Sequence, residues 1–327
     1  MKIAVFRALQ LGDLLCAVPA LRALHAEYPA ARITLVGLPW AKEFARRFRP
    51  YVVDFLEFPC PPEDAGNSGL LTPFFEEAWR RRFDLAVQMH GSGEITNPLV
   101  ARMGARRIAG YGIDASLEWR PREHEIGRWL RLAAHLGAPS RGRHLEFPLG
   151  EADWQEWRRL GLEPGAYAVV HPGSQLPSRR WPAQRFARVA DALAREGLQV
   201  VLTGTAGEAA LTREISARMV AEARDLAGLT TLGGVAALIA RARLLVSNDT
   251  GVSHIAAAVR TQSVVVACGS DPLRWAPLDH ERHRVLHHPV ECRPCMHAVC
   301  PIGHPCALGV AAEQVIGECT RAVACAA

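Results

Sequence analysis

The chain has 327 residues, of which 49% are hydrophobic and 22% charged, a balance that excludes disorder, collagen-like repeats and a small disulfide scaffold. Its net charge of +5 is uneven: residues 1–150 carry 20 basic and 16 acidic side chains, a surplus of +4, and the remainder 18 and 17, a surplus of +1. That mild excess suggests an anionic partner for the first half.

The first nineteen residues are apolar but carry Arg7 and Asp13, so they lack the uninterrupted core of a signal peptide. No apolar run reaches the roughly 18 residues of a transmembrane helix. A cytoplasmic protein with at most peripheral membrane contact is expected. Nine cysteines, an odd number in a long chain, argue against a secreted disulfide framework.

Taken in chain order, short apolar runs alternate with helical patterns. Residues 3–7 read as a buried strand, followed by the turn Leu11-Gly12-Asp13 and a helix with Asp13 near its N-cap. Strands follow at 32–36, 52–55 and 85–89, each separated from the next by a helical pattern. The stretch 138–143, rich in Pro, Gly and Arg, reads as a linker. Beyond it come strand 166–170, helix 182–195, strand 199–203, helix 208–223, helix 232–241, strand 244–247, helix 251–259 and strand 263–267. This alternation predicts two doubly wound α/β halves, 1–150 and 151–327, each with a parallel sheet. Ligands of such sheets bind at the carboxyl ends of the strands, so the loops there are the candidate sites.

Four loops stand out. Asp13 follows the first strand; capping alone would justify it, and a general base is the functional alternative. His171-Pro-Gly-Ser174, Gln175 and Arg179-Arg180-Trp181-Pro182 join a strand end to a helix start through two arginines, a suitable anion site or a solvated pair. Gly204 to Glu208 puts a carboxylate in a first helical turn, suited to sugar hydroxyls or to the helix dipole. Asn248-Asp249-Thr250-Gly251 with His254 joins a buried strand to an apolar helix, and the N–H groups of residues 251–253 suit a diphosphate; a buried core histidine is the alternative for His254. The dinucleotide pattern GxGxxG is absent after the first strand and at 91–96, which weighs against an oxidoreductase. Spread-out arginines and few aromatics weigh against nucleic acid.

These motifs, in this order, resemble glycosyltransferase family 9, the ADP-heptose:lipopolysaccharide heptosyltransferases. The resemblance rests on Leu11-Gly-Asp13 with Val18-Pro-Ala-Leu-Arg22, the 171–182 and 204–208 motifs, and Asn248 to Ala257. It implies a GT-B fold, two Rossmann-like domains facing across a cleft, with the acceptor on the first and the nucleotide-sugar on the second. It implies Asp13 as catalytic base and Ser174, Gln175 and Arg179 near the donor phosphates. Glu208 and Asp249 would meet sugar hydroxyls, Thr250, Gly251 and His254 would complete the pocket, and Thr230 would lie near the adenine. Arg179 stands where the family usually has lysine. The implied partners are ADP-heptose and a lipopolysaccharide core or lipid A precursor acceptor. No cofactor and no metal are expected, because Asp249 stands between Asn248 and Thr250 rather than in a DxD pair. The alternatives are a family member using another nucleotide-sugar, or a non-catalytic nucleotide- or anion-binding protein.

Three arginine clusters, Arg46-Arg47-Phe48-Arg49, Arg80-Arg81-Arg82 and Arg120-Pro-Arg122, are candidates for the acceptor or an anionic surface, with a solvated helix face as the alternative. Cys292, Cys295, Cys300 and Cys306, with His297 and His304 nearby, have ligand types suited to zinc; disulfides and free thiols are the other readings. This cluster is expected to lie away from the strand-end loops.

Overall fold

The computed structural model describes residues 1–67 and 69–325. The chain divides into two compact units, Met1–Pro148 and Leu149–Ala327.

The first unit runs β1 (Lys2–Phe6), α1 (Leu11–Glu27), β2 (Arg32–Gly37), α2 (Ala41–Arg47), β3 (Asp54–Glu57), α3 (Leu71–Arg81), β4 (Leu85–Gln88), α4 (Thr96–Ala101), β5 (Arg107–Ala109) and α5 (Glu125–His135). Its five strands are all parallel in the order β3-β2-β1-β4-β5. β1 and β4 are near-continuous apolar runs because helices cover both faces of the sheet. On one face Phe6, Phe58 and Phe74 meet edge to face at centroid separations of 5.1 and 4.9 Å. Each such pair adds about 0.5–1.5 kcal/mol beyond its burial. On the other, α1 buries Leu14, Leu15, Val18, Leu21 and Leu24 and packs on α5.

Two local expectations change here. Asp13 is not the N-cap of α1. Gln10 holds that place, and Asp13 sits in the first turn, where its carboxylate accepts the Gln10 N–H at 3.3 Å. The stretch 138–143 is not a free linker. Arg22 donates to the Gly142 and His144 carbonyls at 3.2 and 2.9 Å and pairs with Glu146, while Arg47 donates to Pro148 O at 2.8 Å. The chain therefore stays on the first unit through Pro148.

The second unit runs α6 (Glu151–Arg159), β6 (Tyr167–His171), α7 (Ala183–Arg195), β7 (Gln199–Leu202), α8 (Ala209–Arg218), β8 (Ala223–Asp225), α9 (Leu232–Arg241), β9 (Leu244–Asn248), α10 (Gly251–Val259), β10 (Ser263–Val266), α11 (Pro272–Trp275), β11 (His283–Leu286), α12 (Pro305–Leu308) and α13 (Ala312–Cys325). Its six strands are all parallel, in the order β11-β10-β9-β6-β7-β8. The helix expected over 208–223 ends at Arg218, and Ala223–Asp225 leaves it to become an edge strand. In each unit the strand order reverses beside the first strand, between β1 and β4 and between β6 and β9. Such switch points open a crevice at the carboxyl ends of the strands. Among the described residues no helix is long and apolar enough to cross a membrane.

Candidate functional site

At the switch point of the second unit, Asn248 ends β9 fully buried. Its Nδ2 donates to Pro172 O at 2.6 Å, and its Oδ1 accepts the Trp181 N–H at 2.9 Å. One amide thus ties the loop after β6 to the end of β9. Trp181 is buried and donates its ring N–H to Val310 O at 3.0 Å, which fixes the start of α7.

The carboxylate of Glu208 lies on this loop. It accepts the Thr205 N–H and hydroxyl at 2.8 and 3.0 Å, closing a cap on the short helical turn Ala206–Glu208. It also packs so tightly on Gly173 that a Cβ there would lie 2.2 Å from Oε1. Only glycine admits this approach. Gly173→Ala is therefore expected to force Glu208 out of its cap at a cost of about 1 kcal/mol, which chemical denaturation checks. Arg180 lies 4.0 Å from Glu208 Oε1, and its Nε and Nη2 donate to Ser174 O at 2.9 and 2.8 Å. His171 ends β6 with Nδ1 3.1 Å from the Thr203 hydroxyl. Burial lowers its pKa, with the Glu208 charge opposing, so the ring is neutral at neutral pH.

Ser174 is buried and Gln175 exposed. Arg179 departs from its neighbour: Nε and Nη2 donate to Cys295 O at 3.0 and 2.6 Å, and Nη2 lies 3.3 Å from Met296 Sδ. Asp249, Thr250 and Gly251 are half-buried just beyond β9, and Thr250 is the N-cap of α10. Ser253 does not have the free N–H expected of it, since it donates to Thr250 O at 3.0 Å. Gly251 and Val252, in the first turn, have no intrahelical acceptor for their N–H groups. His254 is buried, edge to face with Trp275 at 6.4 Å. Thr230 is half-buried after β8, one residue before the N-cap of α9, and the structure gives it no bond to the other site residues.

The four-cysteine segment is placed differently from the expectation. Cys295 N donates to Gly269 O at 2.7 Å, and Ser178 N donates to Ala298 O at 3.2 Å, so the segment lies against the loops after β10 and β6. His304 Nε2 reaches Ser178 O at 2.6 Å. Among the described residues no three His, Cys, Asp or Glu side chains converge as metal ligands, and Cys292, Cys295, Cys300 and Cys306 are free thiols. The segment braces Ser178 and Arg179.

The first unit has its own constellation at the β1/β4 switch point. Arg7 follows β1 and is buried. Its Nε donates to the Asp13 carbonyl at 2.7 Å, its Nη1 to Met89 O, and its guanidinium carbon stands 4.6 Å from the Trp129 ring centroid. Nη2 lies 3.8 Å from Asp13 Oδ1 and 3.9 Å from Glu125 Oε2. Of the basic clusters, Arg47 and Arg81 are consumed internally. Arg47 binds Pro148 O and stacks on Phe147, and Arg81 pairs with Asp54 and Glu77 at 2.9 and 2.8 Å. Arg46, Arg49, Arg80, Arg82, Arg120 and Arg122 are exposed.

Comparison with known proteins decides the family. The model of glycosyltransferase family 9 (heptosyltransferase) matches residues 79–305. The chain belongs to glycosyltransferase family 9. It is 28% identical over 309 residues to lipopolysaccharide heptosyltransferase 2 of Escherichia coli K12, covering 86% of each chain. It is 35% identical over 302 residues to lipooligosaccharide heptosyltransferase 2 of Haemophilus influenzae, covering 85% of this chain and 86% of that one. The solved structure of E. coli ADP-heptose lps heptosyltransferase II matches with a TM-score of 0.76 at 24% identity, over 99% of this chain and 98% of that one. A family 9 structure from Veillonella parvula matches at 0.81 and 21% identity, over 98% and 97%. The GT-B fold class implied by the resemblance is thereby established, and the chain is a glycosyltransferase.

Within the family frame, reading the sequence named Arg180 and Asn248 inside their motifs without assigning them partners, and missed the Arg7–Glu125 pair. Arg180 stood in the same motif as Arg179, and only the fold separates their partners. Asn248 had a signal, since an amide ending a buried apolar strand must find partners.

Proposed function

We propose that this chain moves a heptosyl group from ADP-L-glycero-D-manno-heptose to a hydroxyl of the lipopolysaccharide inner core or its lipid A precursor, with inversion at the anomeric carbon. The observation that carries the reading is the family match, together with the family's motif residues standing in order at the carboxyl ends of both parallel sheets. The curated relatives, named as lipopolysaccharide and lipooligosaccharide heptosyltransferases, supply the sugar and the acceptor class.

In this mechanism the acceptor oxygen attacks the anomeric carbon as Asp13 takes the hydroxyl proton. The bond from that carbon to the diphosphate oxygen breaks, and ADP leaves with the electron pair. Arg179 and the Gly251 and Val252 N–H groups at the start of α10 are the donors assigned to the charge on the leaving diphosphate. Ser174 and Gln175 line the same loop. Glu208 and Asp249 accept sugar hydroxyls, with Thr250 and His254 beside them and Thr230 toward the base. A cationic, donor-rich site of this composition does the work a divalent ion does in DxD transferases, so transfer is metal-independent. The exposed arginines of the first unit, Arg46, Arg49, Arg80, Arg82, Arg120 and Arg122, suit a phosphorylated glycolipid at the cytoplasmic face of the inner membrane.

Donor selectivity tests this reading. ADP at one hundred times its Kd is expected to stabilise the protein by about 2.7 kcal/mol, with or without chelator. Equal concentrations of UDP or GDP are expected to do much less in the same thermal-shift series. A uridine preference would overturn the donor assignment, and a requirement for Mg²⁺ would overturn metal-independent transfer.

A further inference from the structure

The Arg7 guanidinium is buried and fixed by two backbone carbonyls and a ring. Its Nε is on the Asp13 carbonyl, its Nη1 on Met89 O, and its plane lies by Trp129. Nη2 stands between two carboxylates, Asp13 at 3.8 Å and Glu125 at 3.9 Å. The two are not equivalent. The Asp13 side chain is 21% exposed, whereas that of Glu125 is 3% exposed. Glu125 opens α5, where a carboxylate is favoured by the helix dipole. There it accepts the Trp129 ring N–H at 3.1 Å and lies 3.5 Å from Arg128 Nη1. Arg128 is itself fixed, over the Trp119 ring at 3.6 Å and on the carbonyls of Arg120 and Glu123 at 2.7 and 2.9 Å.

We infer that Glu125 is a positioning residue for the Asp13 base, acting through the guanidinium that both carboxylates share. The inference rests on the reading of Asp13 as the base. A buried arginine facing a single carboxylate would hold that carboxylate strongly acidic, and a strongly acidic carboxylate is a poor base. A second carboxylate on the same nitrogen offsets this pull. The exposed member of the pair can meet a substrate, and the buried member sets its proton affinity.

The remaining neighbours leave this balance intact. His90, after β4, is pushed down to about 3 by burial and by the Arg7 charge, so it is neutral in the working range. Its Nε2 lies 3.8 Å from the exposed Glu63. Burial also raises the Tyr111 phenol, which stays neutral and donates to Arg128 O at 2.7 Å. The charged groups on this network include Asp13 and Glu125 on Arg7, Arg128 against Glu125, and Glu63 beyond His90.

The pH profile of kcat/KM for heptosyl transfer, measured on the full chain, tests the inference. In Glu125→Gln the Arg7 pull is no longer offset, so the Asp13 pKa falls and the acid limb moves down by about one pH unit. The plateau falls severalfold because the base is weaker. Glu125→Asp keeps the charge, and its limb stays at the wild-type pH. Trp129→Phe removes a donor from Glu125, strengthens its charge on Arg7, and moves the limb upward. ADP binding is unchanged in all three. A Glu125→Gln limb that coincides with wild type, or a Glu125→Asp limb that moves with it, overturns the inference. If Glu125→Gln does not fold, an unmoved limb in Trp129→Phe overturns it. Failure of the base reading shows separately, as full turnover in Asp13→Ala.

Discussion

Replacing Asp13 by alanine is expected to lower kcat by roughly 10²–10⁴-fold and to leave ADP binding unchanged. The size follows from the chemistry: a neutral hydroxyl is a weak nucleophile, and proton removal in the transition state is the step Asp13 would supply. The position supports the role, because Asp13 lies in the first turn of α1 at the switch point of its sheet, its side chain partly exposed and 3.8 Å from the Arg7 Nη2. Alanine also removes the Asp13 half of the capping box, at a cost of about 1 kcal/mol. Asp13→Asn separates the two effects, since the amide oxygen it introduces still accepts the Gln10 N–H but is too weakly basic to take the proton. It should therefore lose as much turnover as Asp13→Ala with less loss of stability. Single-turnover kinetics and chemical denaturation read the two quantities independently. Turnover near wild type in either variant would leave Asp13 a capping residue.

The second large effect is expected at Arg179. Arg179→Ala should lower kcat/KM for the donor by about 10²–10³, the scale on which a preorganised donor to a developing anion acts. Arg179→Lys should fall between wild type and alanine. Lysine keeps the charge, but a point charge cannot form the two-pronged contact that fixes the guanidinium on Cys295 O at 3.0 and 2.6 Å. Arg180 is the natural comparison. Its guanidinium is committed to Ser174 O and lies near Glu208, so its loss should disturb the loop and be felt in donor KM more than in kcat. Titration with ADP, followed by steady-state kinetics, distinguishes these outcomes. An Arg179→Ala enzyme within twofold of wild type would move the diphosphate contact to another cation.

Much of this architecture is written in local sequence. Strands β1, β2, β4, β6, β7, β9 and β10 are buried apolar runs, and each lies within a residue or two of its sequence pattern. The helices α9 and α10 begin and end where their pattern does. What the sequence hides has physical reasons. β5 and β8 are three-residue edge strands, and their sequences Arg-Ile-Ala and Ala-Arg-Asp carry no apolar run to announce them. α6 buries only Asp153, so it lacks an apolar stripe. The strand-end residues Asp13, Glu208 and Asp249 are legible because turns, caps and glycines mark the loops that hold them. The Arg7–Glu125 contact is not, because it joins the end of β1 to the start of α5 through tertiary packing alone. Nor does local pattern tell Arg179 from Arg180: adjacent residues in a loop point apart, and each partner is set by a distant segment.

The most direct test of the account is the reaction itself. The purified chain is incubated with ADP-L-glycero-D-manno-heptose and a lipopolysaccharide inner-core acceptor in the presence of EDTA. ADP release is followed together with the mass and anomeric configuration of the product. The account predicts one heptose added per ADP released, at an inverted anomeric centre, with the wild-type rate kept in EDTA. No heptosylated product under conditions where ADP binds, or product with retained configuration, would contradict it.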